Sequence, residues 1–205
     1  MKIGVIDYGA SNIFSVVRAL NSLGASTKIL KKSKDFENID KLVFPGQGSM
    51  GACLKKLSEN DLRDALIFSL KNLPFLGICL GLQILFSESE ESEEEKGLGI
   101  FPEKIKKFSE FKDRTIKIPH MGWNQVEFSQ SHFIWEGLES SKDFYFVHSY
   151  ASKEIDEKYI YSKTFHGESF NSAVAKDNIF ATQFHPEKSG KSGLNLLQNF
   201  IDWKI

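Results

Sequence analysis

Two short segments of the sequence contain residues that can do covalent chemistry together. In the first, Cys79 lies between Gly77 and Gly81, directly after an apolar run over residues 75–78. A cysteine at a sharp strand-to-helix turn, with small residues two positions away on each side, has the spacing of a nucleophile elbow. At a helix N-terminus, the free N–H groups and the dipole favour thiolate over thiol. The pattern predicts a nucleophile projecting into solvent, with the Leu80 amide directed at an oxyanion; the alternative is a small buried cysteine beside an ordinary turn.

The second segment supplies a candidate base. A thiolate nucleophile needs a general base and a group that orients the base. His185 follows an apolar run and is followed by Pro186 and Glu187. Residues two apart in an extended chain project to the same side, so Glu187 is placed to bind one imidazole nitrogen and fix the tautomer that faces Cys79. The alternative is a surface histidine near a strand end.

The remaining histidines and the second cysteine have weaker contexts. His132 and His166 lie among polar residues and are predicted to be solvated. His120 and His148 either line a site or belong to the core, and neither has a carboxylate two residues away. Cys53 lacks a following glycine and is predicted to be structural. Since no set of these residues has zinc spacing and no glycine-rich phosphate loop occurs, we expect neither a metal nor a cofactor.

Composition narrows the class of protein. The chain has 205 residues, 41% of them hydrophobic, which is enough for one full core, so we expect residues 1–205 to form a single domain. With 26 basic and 27 acidic residues and no basic stripe, neither nucleic acid nor an anionic membrane is an expected partner. No apolar run approaches bilayer length, and the N-terminus is not a signal peptide. Two cysteines make no disulfide framework, which favours a cytoplasmic, reduced protein.

The apolar pattern predicts the elements that position these residues. In the first half, strands alternate with helices, which indicates an α/β fold whose mainly parallel sheet is flanked by helices. The predicted strands span residues 2–7, 26–30, 41–44 and 75–78; the predicted helices span residues 13–20, 54–57, 62–70 and 80–86. In such a sheet the functional loops lie at the carboxyl ends of the strands.

The second half is predicted to be rich in β-structure. An acidic run over residues 88–95 separates the halves and is predicted to be a solvated loop, with an interaction patch as the alternative. The β segments that follow are predicted over residues 105–108, 115–118, 125–128, 143–150, 159–165, 172–176 and 179–184. An amphipathic helix over residues 193–203 closes the chain.

Several motifs together resemble those of a known family. The runs Gly-Ile-Cys-Leu-Gly-Leu-Gln at 77–83 and His-Pro-Glu at 185–187 are similar to the class I (triad) glutamine amidotransferases. Asp-Tyr-Gly at 7–9, Pro-His-Met-Gly-Trp-Asn at 119–124, Tyr-Phe-Val-His-Ser-Tyr at 145–150 and Glu-Lys-Ser-Gly at 187–190 resemble the glutaminase subunits of imidazole glycerol phosphate synthase, from histidine biosynthesis. The resemblance extends over essentially the whole chain and implies the class I glutamine amidotransferase fold.

The resemblance implies a reaction and the residues that perform it. Cys79 would attack the side-chain amide of L-glutamine, and His185, oriented by Glu187, would move the proton to the departing ammonia. Water would then cleave the thioester, and the Leu80 amide with one amide of the 45–48 loop would hold the oxyanion. The residues implied in substrate binding or the oxyanion hole are Gly46, Gln47, Gly48, Leu80, Gln83 and Ser149.

The resemblance also implies a partner. The ammonia would pass to a (β/α)8-barrel cyclase subunit in a heterodimer, docked near Asn12, Trp123, Tyr145 and Lys188, and the chain alone would be a slow glutaminase. Gln47 departs from the family loop Pro-Gly-Val-Gly, which leaves open the state of that loop and the identity of the acceptor. The alternatives are a paralogous glutaminase that supplies a sugar-modifying amidotransferase, a stand-alone cysteine hydrolase and a non-catalytic scaffold.

Overall fold

A parallel sheet forms the first half of the fold. The computed structural model describes residues 1–9, 12–92, 94–108 and 117–205. Strand β1 (Lys2–Ile6) pairs in parallel with β2 (Ser26–Leu30) and β3 (Lys41–Phe44), and β3 pairs in parallel with β4 (Phe75–Ile78). Every residue of β3 and β4 is buried, as expected of parallel strands covered on both faces.

Helices cover both faces of this sheet. On one face, α1 (Ile13–Ser22) and the C-terminal α5 (Gly190–Asp202) contribute their apolar stripes to one core cluster. On the other face, α2 (Met50–Glu59) and α3 (Arg63–Leu70) pack in a second cluster. The predicted α/β fold, with parallel strands flanked by helices, is therefore confirmed for this half of a mixed sheet.

The second half is rich in β-structure, as predicted. Its strands are β5 (Phe86–Ser89), β6 (Phe101–Lys107), β7 (His120–Phe128), β8 (Ser141–His148), β9 (Tyr150–Ser152), β10 (Ile160–His166), β11 (Glu168–Lys176) and β12 (Ile179–Thr182). Strand β12 pairs in parallel with β4 and antiparallel with β11, which joins the two halves into one hydrogen-bonded sheet. Its main path runs β2-β1-β3-β4-β12-β11-β10-β7-β8, and β5, β6 and β9 branch from it.

One predicted helix is wrong in part, and one predicted β segment lies partly outside the described residues. The helix predicted over residues 80–86 is wrong in its second part: α4 spans only Leu80–Gln83, and β5 begins at Phe86. An unbroken apolar run does not distinguish a buried helix from a buried strand, which explains the error. In the segment predicted over 115–118, residues 115 and 116 lie outside the described residues, and residues 117 and 118 are not in a strand.

The register of β4 and β12 positions the two predicted chemical segments. Ile78 pairs with Thr182, so the chain leaves both strands at the same edge of the sheet. The Cys79 amide then donates to the Thr182 carbonyl at 2.7 Å. Cys79 and the residues that follow Thr182 are therefore neighbours. Within the described parts of the chain, no helix is long and apolar enough to cross a membrane.

Candidate active site

The strained turn predicted at Cys79 is present. Cys79 has φ 54°, in the left-handed region that residues with a side chain rarely adopt. A Cβ added to Gly77 would lie 2.5 Å from the Gly81 carbonyl oxygen, and one added to Gly81 would lie 2.1 Å from the Phe44 oxygen. Both glycines are therefore required by close backbone contact, which confirms the reason given for the Gly-x-Cys-x-Gly spacing.

The surroundings of the thiol differ from the prediction in two ways. Cys79 is only 6% exposed, so it lines a cavity and does not project into bulk solvent. The helix after it has a single turn, so few peptide dipoles are aligned behind the sulfur and their contribution is small. Other groups must stabilise a thiolate at this position.

His185 and Glu187 form a buried pair beside this thiol. The ring nitrogen Nδ1 of His185 lies 2.8 Å from Oε1 of Glu187, and both side chains are fully buried. The extended geometry predicted for this segment is wrong, because Pro186–Lys188 forms a short 3₁₀ helix. The predicted contact is nevertheless present, because this turn brings the Glu187 carboxylate to Nδ1 of the His185 ring.

The protonation of His185 follows from its partners. Burial opposes a charged imidazole and lowers the pKa, but the charge and hydrogen bonding of Cys79, followed by those of Glu187, outweigh burial and raise it to about 10. Among the described residues, the second ring nitrogen, Nε2, is buried and has no nitrogen or oxygen partner. The arrangement suits an imidazolium between a carboxylate and a thiolate, which is the resting state of many cysteine nucleophiles.

Two further groups contact the sulfur. The Gln183 amide nitrogen lies 3.5 Å from Sγ of Cys79, and the Val147 carbonyl oxygen lies 3.9 Å from it. Gln183 was not singled out from the sequence, although it lies two residues before His185. The available signal was the same period of two that was applied to Glu187.

A cavity of about 430 Å³ opens at the thiol. Its lining includes five of the six residues predicted for substrate binding or the oxyanion hole, which are Gln47, Gly48, Leu80, Gln83 and Ser149. The sixth, Gly46, is buried behind them, where an added Cβ would lie 2.6 Å from the Tyr8 hydroxyl and 2.8 Å from Cβ of Leu80. The predicted residues therefore lie together, and their roles stay predictions.

Glu91 was missed, because the acidic run was interpreted as a solvated loop. Oε2 of Glu91 accepts a 2.8 Å hydrogen bond from the Met50 amide at the start of α2, and the residue lines the same cavity as Cys79. Burial raises the pKa of this carboxyl, against the hydrogen bond from Met50. Ser89, in the same run, is 1% exposed. The solvated-loop prediction is wrong for these two residues, since a charge run alone does not reveal which member turns inward.

Tyr8 belongs to the Asp-Tyr-Gly motif at 7–9, and the sequence predicts no role for it. Its hydroxyl donates to the Gln47 carbonyl at 3.3 Å, so it contacts the loop that precedes α2. Burial raises the pKa of this phenol well above its usual range, and the buried Cys53 thiol adds to the effect. Burial also raises the pKa of Cys53 to about 12, so Cys53 is a poor nucleophile, as expected of a structural cysteine.

His120 and His148 form a hydrogen-bonded pair, of which His148 lines the cavity. Nδ1 of His148 lies 2.9 Å from the Tyr150 carbonyl oxygen, and its Nε2 lies 3.0 Å from Nδ1 of His120. Nε2 of His120 lies 3.1 Å from the Asn124 amide nitrogen. Because the carbonyl only accepts and the amide nitrogen only donates, one tautomer of each ring satisfies the chain, and both rings are neutral. Burial lowers the pKa of both histidines to about 3.

The other two histidines are half-buried, so the prediction of solvated side chains is wrong for His132, whereas His166 keeps a partly exposed ring. His132 lies within about 5 Å of the Phe180 and Trp203 rings, and burial lowers its pKa to about 4. The ring of His166 stacks on His120 with centroids 4.1 Å apart. His132 directly precedes a short 3₁₀ helix, Phe133–Trp135, and its Nδ1 accepts a 3.1 Å hydrogen bond from the Ile134 amide.

The residues predicted to face a partner divide into two kinds. Trp123 is 57% exposed and Tyr145 is partly exposed against it, with ring centroids 6.3 Å apart; Lys188 Nζ lies 5.8 Å from the Tyr145 ring. Asn12 is only 6% exposed, and its amide nitrogen lies 3.5 Å from Oε1 of Glu187. Asn12 therefore offers little surface to a partner and supports the buried carboxylate, and its interface role stays a prediction.

Among the residues that the structure describes, no three His, Cys, Asp or Glu side chains lie close enough to hold a metal ion.

Comparison with known proteins adds a family. The family model for "Glutamine amidotransferase class-I" matches residues 4–203. Among curated proteins, the imidazole glycerol phosphate synthase subunit HisH of Hydrogenovibrio crunogenus is 43% identical over 202 residues, which are 97% of this chain and 95% of that protein. The subunit HisH of Nitrosomonas europaea is 44% identical over 209 residues, covering 98% of each chain.

Solved structures have the same fold. A crystal structure of a glutamine amidotransferase covers 98% of this chain and 97% of its own, with a TM-score of 0.75 and 21% sequence identity. The crystal structure of a putative GMP synthase protein from Thermoplasma acidophilum covers 98% of this chain and 92% of its own, with a TM-score of 0.74 and 24% identity. At these identities the likeness shows the fold.

Proposed function

Because the chain belongs to the class I glutamine amidotransferases and, within them, to the family of imidazole glycerol phosphate synthase subunit HisH, we propose that Cys79, His185 and Glu187 hydrolyse L-glutamine to glutamate and ammonia in histidine biosynthesis. The observation that carries this assignment is the buried 2.8 Å contact between His185 and Glu187 next to an elbow cysteine. A carboxylate, an imidazole and a thiol in that order form a nucleophile with its base and its orienting group.

The geometry supports a sequence of four steps. The Cys79 sulfur attacks the amide carbon of glutamine, and the oxyanion forms next to the Leu80 amide. His185 donates its proton to the nitrogen, the C–N bond breaks, and ammonia leaves a glutamyl thioester. Water then attacks the thioester while His185 takes a proton from it. Glutamate leaves, the sulfur becomes a thiolate again and His185 an imidazolium.

The cavity lining suits a glutamine side chain that reaches Cys79 from the solvent side. The Glu91 carboxylate at the cavity wall is placed to bind the α-ammonium group of the substrate. Polar groups of Gln47, Gly48 and Ser149 line the same space. Gln83 is 5% exposed and donates from Nε2 to Tyr150 and Gln183, so any substrate contact it makes uses its oxygen.

The acceptor is proposed to be a cyclase subunit. A glutaminase that feeds a synthase needs its partner over the cavity mouth, and Trp123 with Tyr145 offers an exposed aromatic pair for a (β/α)8-barrel to bind as a heterodimer. One hydrogen-bonded sheet that runs through both halves supports the single glutaminase domain proposed for residues 1–205. The cytoplasmic location stays a prediction.

The direct test measures glutamate release from glutamine, with and without the cyclase subunit of the same organism. The chain alone should be slow, and the subunit loaded with its acceptor should raise the rate. Cys79→Ala should abolish glutamate release, and the complex should still form product from free ammonia. A gene deletion that leaves growth without histidine unaffected but removes an aminated or amidinated surface sugar would overturn the assignment in favour of a sugar-modifying amidotransferase.

A second experiment tests the docking face. Trp123→Ala should weaken binding of the cyclase subunit by about 30-fold, as expected of an interface tryptophan worth roughly 2 kcal/mol. Phe68→Ala is the matched control, because Phe68 is 70% exposed and lies on α3, which precedes the opposite end of β4. Equal affinities of the two variants would place the partner on another surface.

A further inference from the structure

Gln183 occupies a position that hydrolysis by Cys79, His185 and Glu187 does not explain. Its side chain is completely buried, and its Nε2 lies 3.5 Å from Sγ of Cys79. That distance is normal for an N–H donor and a sulfur acceptor, since sulfur is larger than oxygen and its hydrogen bonds are longer. Gln183 and His185 are two residues apart after β12 and both reach the sulfur.

The orientation of the Gln183 amide follows from its neighbours. The Tyr150 carbonyl only accepts, and the Gln83 amide nitrogen lies 3.0 Å from it. The same Gln83 nitrogen lies 3.2 Å from the Gln183 amide oxygen. With the oxygen of Gln183 held by this donor, its NH₂ group must point at the sulfur. A flipped amide would place two NH₂ groups together and an oxygen against Sγ.

The charge on the sulfur decides what this contact does. The Val147 carbonyl oxygen, 3.9 Å from Sγ on the cavity side, suits a thiol that donates its proton but repels a thiolate. The single turn of α4 contributes little dipole. The Gln183 N–H therefore stabilises the sulfur only when the sulfur is an acceptor.

From these contacts, and on the premise that Cys79 is the nucleophile of the proposed function, we propose that Gln183 is a further catalytic residue. It donates an N–H to the Cys79 thiolate. Gln83 is its positioning residue, since the Gln83 amide locks the Gln183 amide in the donating orientation. No proton is transferred by either amide. Their effect is to lower the energy of the anionic sulfur relative to the thiol.

Other ionisable groups face the same sulfur and must be considered in any pH titration. His185 pairs with it directly, and Glu187 acts through His185. Glu91 lines the same cavity. Tyr8, from the segment after β1, and His148, from β8, are neutral at physiological pH, because burial raises the pKa of the phenol and lowers that of the imidazole. Gln183 does not titrate, so replacing it removes a donor without removing a charge.

The test is the pH dependence of Cys79 alkylation by iodoacetamide, followed by mass spectrometry of the Cys79 peptide. In Gln183→Met, which keeps the side-chain length and loses the donor, the midpoint should rise by about one to two pH units, the value expected for one hydrogen bond to a charged group. At pH values below this raised midpoint, the thiolate fraction of Cys79 should be about 10- to 100-fold smaller than in the parent. The kcat for glutamine should fall by about the same factor, with KM unchanged. The Cys53 peptide, from a buried thiol, provides an internal comparison in each sample.

Two variants make the result decisive. Asn171→Leu is the matched control, because it removes a buried amide from the adjacent β11 that contacts Ser152 and not the thiol; its alkylation midpoint should equal that of the parent. Gln183→Leu also removes the donor without adding a charge, so its midpoint should rise as in Gln183→Met, and it replaces Gln183→Met if that variant does not fold.

A parent-like midpoint in folded Gln183→Met or Gln183→Leu would overturn the proposal. Alkylation needs neither glutamine nor a partner. A parent that fails to release glutamate while its Gln183 variants show the shifted midpoint would therefore refute the proposed function and not the contact.

Discussion

The buried histidines of the site fall into two groups, one charged and one neutral. His185 is held charged between a carboxylate and the sulfur, with its pKa raised. His120 and His148 are held neutral in a row of hydrogen bonds that runs from the Asn124 amide to the Tyr150 carbonyl, and the pKa values of both rings are lowered.

The difference shows that burial does not decide what a histidine does. Desolvation lowers the pKa in both groups, and only His185 has anionic partners that outweigh it. His185 therefore serves as a base and acid in the proposed reaction. The neutral pair instead holds the Tyr150 carbonyl through His148, next to the cavity residues Ser149 and Tyr150. Substitutions that alter one of the two histidine groups at a time therefore test this difference.

The largest effect is expected from the carboxylate that orients His185 and, after the Cys79 sulfur, contributes most to its raised pKa. Glu187→Gln leaves the ring in place but removes its anionic partner, so glutamine turnover should fall about 100-fold or more, as for other orienting carboxylates. His185→Ala should cost at least as much. Steady-state glutamate release by the complex measures both. If Glu187→Gln turns over like the parent while His185→Ala is inactive, the orienting role is wrongly assigned.

A smaller effect is expected from the neutral side, on stability against acid. The folded pKa of His148 is about 3, against 6.5 for an unperturbed histidine. Between these values the unfolded chain binds more protons, so the free energy of unfolding falls as the pH is lowered through this window. In His148→Gln this decline should be shallower by up to about 1.4 kcal/mol per pH unit. Urea unfolding at several pH values measures it.

The control for that experiment is Phe170→Leu, whose ring lies 5.1 Å from His148. It should lower stability at every pH through lost packing and leave the slope with pH equal to that of the parent. Equal slopes in His148→Gln and the parent would show that His148 is not held neutral by the fold.

The smallest effect is expected at Asn12, whose amide nitrogen lies 3.5 Å from Oε1 of Glu187. Asn12→Ala removes a long hydrogen bond to a carboxylate that keeps its contact with His185. Turnover should therefore fall less than about tenfold, with the affinity for the cyclase subunit unchanged. A large loss of affinity at normal turnover would return Asn12 to the interface that was predicted for it from the sequence.

The sequence was sufficient for the features that depend on local pattern. Alternating apolar strands and helices predicted the parallel half, and the glycine spacing predicted the elbow at Cys79. His-Pro-Glu predicted the contact between His185 and Glu187, although for an incorrect geometric reason. In each case the information lies within a few residues of the feature.

The features that could not be predicted from the sequence depend on contacts between distant segments. Glu91 accepts a hydrogen bond from the first residue of α2, and Gln183 contacts Gln83, which lies 100 residues away in the sequence. His120 and His148 become neighbours only through the pairing of β7 with β8. Periodicity shows which face of an element a side chain occupies, but not what packs against that face. The polar sequence neighbours of His132 and His166 therefore led to the incorrect expectation that both side chains are fully solvated.

The central claim is that Cys79 and Glu187 hold His185 as an imidazolium in a site whose other buried histidines are neutral. The most direct measurement is nuclear magnetic resonance of the protein with ¹⁵N-labelled histidines near neutral pH, with assignments from single substitutions. We expect imidazolium nitrogen shifts for His185, loss of that signature in Cys79→Ala, and neutral-ring shifts for His120 and His148. A neutral His185 in the parent protein, or an imidazolium unaffected by Cys79→Ala, would contradict the claim.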